Sequence, residues 1–167
     1  MLDFEIDKLT NSIQNVASGD SFDTNISQLT KAEQKLIKKG LWLFDWRKEL
    51  ADTTKTVYKL TINSNPEIIQ GLISVEDRND HIFMHLIESA KFNKGKMKVY
   101  VGVPGNLVAF ACKLSKEKGY QGIVSFFAKT KLMAHYKESL GAKVLFANQM
   151  IIDEVNAEKL ITKYFKQ

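Results

Sequence analysis

Tyr136, His135, Glu88 and the turn Gly102–Leu107 have the residue types and spacing to move protons and hold an anion. An unperturbed phenol, with a pKa of about 10, is protonated at neutral pH and can supply a proton to a leaving group. Tyr136 also shares a helix face with Leu132 and Leu140, which suits a core tyrosine equally well. Glu88 ends an apolar stretch and would share a strand face with Ile82, Met84 and Leu86. Apolar surroundings raise a carboxylate pKa toward the range useful for accepting a proton, whereas an exposed strand end would leave Glu88 merely solvated. His85 and His135 are the alternative bases, His135 because it adjoins Tyr136. Gly102, Val103, Pro104, Gly105, Asn106 and Leu107 lead into a helix whose first N–H groups lack helical partners. Those donors, the positive end of the helix dipole and two glycines that admit close approach suit a pyrophosphate, although Pro104 removes one donor. Turn geometry alone would also explain the glycines.

The elements that must position these groups follow from periodicity. Leu2, Ile6, Leu9, Ile13 and Val16 recur at helical spacing and stop at Gly19, predicting an opening amphipathic helix. Phe22, Thr24 and Ile26 alternate as a short strand would, and Thr30 with Glu33 forms a capping box before a short helix over about residues 31–39. Four β-rich stretches follow, Leu41–Arg47, Thr56–Ile62, Ile68–Val75 and His81–Ile87; their short polar connections imply an antiparallel meander. Trp42, Phe44 and Trp46 alternate on the first of them, as core or as a substrate wall. Next comes a strand–helix–strand–helix–strand rhythm, which implies a parallel crossover at the centre of the sheet. Leu107, Phe110, Ala111 and Leu114 give the first of these helices an apolar stripe, and Gly119 stops it. One or two strands over 144–152 and a C-terminal helix marked by Ala157, Leu160, Ile161, Tyr164 and Phe165 complete a mixed α/β sheet in one domain, 1–167.

The 167 residues are 44% hydrophobic and 26% charged, enough for a real core, with a formal charge of +5. Acidic residues gather before residue 30 and lysines dominate afterwards, a surface that favours anionic ligands, nucleic acid included. One cysteine, Cys112, excludes an intrachain disulfide and reads as an inert core thiol. No leader and no membrane span are evident, so a cytoplasmic protein is expected, as monomer or homodimer. His81 and His85 lack the helical context of a zinc site, and Gly95-Lys96 is followed by Met97 where a P-loop needs Ser or Thr.

The order of parts resembles the GNAT superfamily of acyl-CoA-dependent N-acyltransferases, over roughly residues 40–152. A meander, a buried strand, a glycine turn into a helix, another strand and a helix carrying Tyr136 before Leu140 and Gly141 are the residues behind the resemblance. It implies an antiparallel meander leading into a parallel central strand pair, helices on both faces, and acetyl-CoA in a V-shaped opening between His81–Ile87 and Gly122–Ala128. The turn Gly102–Leu107 would take the pyrophosphate and Tyr136 would protonate the departing thiolate. Val99 and Pro104 depart from the family's usual turn, and Tyr136 precedes Gly141 by five residues rather than four. The implied activity is transfer of acetyl to a primary amine of a small or macromolecular acceptor, an aminoacyl-tRNA or protein amine being one option. Glu88 is the first candidate base, the lysine run Lys91, Lys94, Lys96 and Lys98 could meet phosphate, and Asp45, Glu49, Glu76 and Asp77 could attract the amine. The alternative is a catalytically inactive relative that binds nucleic acid or a protein partner.

Overall fold

The computed structural model describes residues 1–10 and 12–165. Its principal sheet is built from β3 (Thr24–Gln28), β4 (Thr56–Ile62), β5 (Gly71–Asp77), β6 (Ile82–Ser89), β8 (Val124–Phe127), β10 (Gln149–Ile152) and β9 (Lys143–Phe146), in that spatial order. Neighbours are antiparallel except the central pair, β6 with β8. A small sheet of β2 (Ser21–Phe22), β1 (Ile13–Asn15) and β7 (Tyr100–Val101) stands apart. The meander and the parallel crossover are therefore as the sequence implies, with β6 and β8 joined through α2 (Val103–Glu117).

Alternation sets the two faces. Ile73 and Ile87 enter the larger core with residues of α2, α3 (Met133–Leu140) and α4 (Glu154–Tyr164). Leu72 and Leu86, one residue earlier in each strand, enter a smaller core around Trp46 of α1 (Trp46–Ala51). Helices thus cover both faces. Left-handed Gly119 follows α2 and left-handed Gly141 caps α3, each at a φ that side chains avoid.

Two predicted elements are absent. Residues 2–10 hold no helix and Ile13–Asn15 form β1, and the amides of the opening segment are taken by distant partners described below. Leu41–Arg47 is not a strand: Asp45 caps α1 by accepting from the Lys48 amide, and Trp42 and Trp46 meet edge to face one helical turn apart while Phe44 faces solvent. The helix expected over 31–39 is a shorter 3-10 turn, Lys31–Leu36, in which the Glu33 carboxylate accepts from the Thr30 amide and pairs with Lys59. Among the described residues no helix is long and apolar enough to cross a membrane.

Asp153 gives a pH test of this fold. The Lys143 ammonium and the Asn156 N–H groups hold its carboxyl at about 2 against an ordinary 3.8 while it caps α4. The unfolded chain takes up that proton more readily, so the stabilisation is full above pH 3.8 and vanishes as pH falls through about 2. In thermal melts across that window, Asp153→Asn, which keeps a capping oxygen, is expected to lose stability less steeply than wild type.

Candidate functional site

The site begins where the central strands part. β6 and β8 register at Ile82 with Val124 and at Phe83 with Ser125, then diverge into a fork. Just beyond the last pair, β6 carries a bulge: Ser74 faces Leu86 and Val75 faces Met84, leaving His85 over. The extra residue shifts the alternation, so Leu86 joins the Trp46 core although Ile82 and Met84 belong to the other. Glu88 consequently leaves the face it was expected to share with Ile82 and Met84.

Glu88 lies 3% exposed, and its two oxygens take four donors. They are the Leu43 amide at 2.6 Å, the Phe44 amide at 3.1 Å, the Trp46 indole N–H at 2.8 Å and the Lys94 ammonium at 2.8 Å. This carboxylate ties residues 43–46 to β6, alongside the Lys91 amide on the Leu41 carbonyl and the packing of Trp46. His85, in contrast, offers Nδ1 to the buried Glu49 carboxylate at 2.5 Å, and its Nε2 has no hydrogen-bond partner among the described residues. The pair was not foreseen because a bulge and a helix 36 positions away create it. Of the other acidic candidates, Asp45 caps α1, Glu76 pairs with Arg78, and Asp77 meets Tyr120 and Lys118.

The helix α2 opens at left-handed Gly102, whose φ of 95° admits little but glycine, with Pro104 in its first turn. The fork and this turn are filled from within. Leu2 pairs with Ala128 in parallel, its N–H donating to the Phe127 carbonyl at 2.6 Å and its own carbonyl accepting from Lys129 at 3.1 Å. The Phe4 amide donates to the Tyr136 hydroxyl at 3.2 Å, and that hydroxyl donates to the Phe4 carbonyl at 2.6 Å. The Ile6 amide donates to His135 Nε2 at 2.8 Å, which places the neutral imidazole's proton on Nδ1. Asp7 spans the Gly102 amide, at 3.1 Å, and the Lys98 ammonium, at 3.0 Å. The Thr10 amide ends the path on the Tyr164 hydroxyl at 3.2 Å. A methyl group at Gly102 would strike the Thr10 side chain, and one at Gly105 the Tyr164 hydroxyl and Leu9.

Tyr136 is wholly buried between Phe4 and Phe126, and burial pushes its hydroxyl up to about 12. Cys112 is buried too, its thiol pushed up by desolvation, which suits the inert role expected of it. A cavity of about 360 Å³ remains beside the filled fork, where Phe4 faces Glu88, Lys94, Lys98 and Pro104. Tyr136 and His135 thus share one segment as their partner, and Glu88 lines the cavity beside that segment. Among the described residues no group of three or more His, Cys, Asp or Glu side chains is placed to hold a metal.

No family model matches the sequence, and no curated protein matches it. Solved structures do match its fold. The KacTA–DNA complex aligns at a TM-score of 0.57 and 13% identity, over 84% of this chain and 99% of that one. AtaTR bound with acetyl-CoA aligns at 0.56 and 16%, over 84% and 99%. A GNAT family acetyltransferase of Elizabethkingia anophelis with acetyl-CoA bound aligns at 0.55 and 17%, over 77% and 94%. The shared property is the architecture of the mixed sheet and its helices.

Proposed function

We propose that this GNAT-fold chain is an N-acetyltransferase that moves acetyl from acetyl-CoA to a primary amine. The observation that carries the reading is the fork itself: two parallel central strands that separate after two paired positions, and a helix N-terminus whose capping residue, Gly102, already holds a carboxylate oxygen on its amide. Asp7 there stands in for phosphate, with the Gly102 N–H on one oxygen and Lys98 on the other. A phosphate of the co-substrate would take the Gly102 amide and Lys98 once Asp7 and Thr10 withdraw, while the Tyr164 hydroxyl stays against Gly105 and the Ser12 carbonyl against Gly102.

The chemistry asks for a base, an acid and a polar cradle. The amine nitrogen bonds to the thioester carbonyl carbon while the carbon–sulfur bond breaks, the amine proton passes to the base and the departing sulfur takes a proton from the acid. Tyr136 is the acid, because its hydroxyl stays protonated at neutral pH. His85 is better suited than Glu88 to be the base, since Glu49 orients its ring and leaves Nε2 free. Glu88 already serves four donors, and His135 serves the Ile6 amide. His85→Ala is expected to lower turnover about 100-fold with little change in acetyl-CoA affinity, measured as thiol release with a panel of primary amines. Unchanged turnover would remove His85 from the mechanism.

A second reading draws on the same fork. Because residues 2–10 fill it, the chain could be a non-catalytic module that binds a protein or nucleic acid; KacTA, which shares the fold, is seen in complex with DNA. Calorimetric titration with acetyl-CoA and, separately, with duplex DNA and RNA decides between them. Saturable acetyl-CoA binding supports the transferase; nucleic-acid binding without it supports the module.

A further inference from the structure

Residues 2–10 occupy the fork as a ligand would. Beyond Leu2, whose backbone joins the edge of β8, the amides of Phe4, Ile6 and Thr10 donate to the Tyr136 hydroxyl, the His135 imidazole and the Tyr164 hydroxyl. A resident strand would donate to neighbouring carbonyls in a ladder. Its charges are also arranged as those of an anionic guest: Asp3 meets Lys129 at 2.5 Å with Lys131 beyond, and Asp7 meets Lys98 and the Gly102 amide. Apolar Leu2 and Ile6 bury their side chains in the larger core.

We propose that segment 2–10 is a tethered strap that releases from the fork without unfolding the sheet, and that the strap and an acidic co-substrate exclude one another. The second half of this rests on the transferase reading. Two contacts the strap makes at the turn, the Gly102 amide and Lys98, are ones that a diphosphate would need. Affinity for such a ligand is then the intrinsic affinity multiplied by the fraction of molecules with the strap released.

Hydrogen exchange of the intact chain tests the release directly. The amides of Phe4, Ile6 and Thr10 should exchange through a local opening, faster than the core amides of β5 and β6. The double substitution Asp3→Ala with Asp7→Ala should speed those three amides about tenfold and leave the core amides unchanged. Lys98→Ala, which leaves the strap sequence intact, should act in the same direction. Exchange of Phe4, Ile6 and Thr10 at the core rate in all three proteins would mean that the segment is fixed structure, and the proposal would fall.

Titration with acetyl-CoA tests the exclusion. The double variant should bind about tenfold more tightly than wild type, and saturating acetyl-CoA should speed strap exchange in wild type. Equal affinity with protected strap amides overturns the exclusion. If the strap opens by exchange yet neither protein binds acetyl-CoA, the transferase reading fails while the releasable strap stands.

Discussion

Glu88→Ala is expected to lower the free energy of unfolding by about 3 to 5 kcal/mol, because it removes the shared acceptor of a buried cluster. The Leu43 and Phe44 amides and the Trp46 indole N–H would all lose the carboxylate that they bind, while half-exposed Lys94 can turn to water. Residues 43–46 would then come away from the sheet and Trp46, now 1% exposed, would meet solvent. Urea denaturation followed by tryptophan fluorescence measures both effects. Glu88→Gln should fall between wild type and alanine, since its amide oxygen still accepts but its NH₂ faces donors. A Glu88→Ala protein as stable as wild type but without turnover would instead make Glu88 the base and displace His85 from that role.

What the sequence disclosed divides by the range of the interactions that decide it. α2 was legible because its apolar stripe, Gly102 and Gly119 are all local, and Gly141 marked the end of α3 for the same reason. β4 and β6 were legible from their apolar runs, bounded by polar turns. The opening segment was not. Leu2, Ile6, Leu9 and Ile13 fit a helical period, but no local signal reports that Tyr136, His135 and Tyr164, more than a hundred residues away, hold its amides. Leu41–Arg47 failed likewise, since the Glu88 carboxylate that shapes it lies more than forty residues on. The bulge at His85 has no sequence mark at all, yet it decides which face Glu88 occupies and sets His85 against Glu49. Residue types at the site were therefore readable, whereas their partners were not. Tyr136 shows the difference most plainly, being at once the core tyrosine and the candidate acid that its spacing allowed.

Tyr136→Phe should move binding and chemistry in opposite directions. The hydroxyl both accepts the Phe4 N–H and donates to the Phe4 carbonyl, so phenylalanine leaves those two groups unsatisfied while the strap is seated. Once the strap is released they are solvated, and the substitution costs that state little. The equilibrium shifts toward release, and acetyl-CoA should bind about 3- to 10-fold more tightly. Turnover should nevertheless fall by about 100-fold or more, because the departing sulfur loses its proton donor. The wild-type hydroxyl, pushed up to about 12 by burial, keeps its proton throughout the neutral range. On the proposed reading it would become available to the sulfur only after Phe4 has gone, so that one oxygen would restrain the strap in one state and serve the reaction in the other. Calorimetry and thiol release on the same preparation separate the effects. Tighter binding with normal turnover would keep Tyr136 as the latch of the strap and remove it as the acid; weaker binding would mean that the hydroxyl holds the co-substrate rather than the chain's own segment.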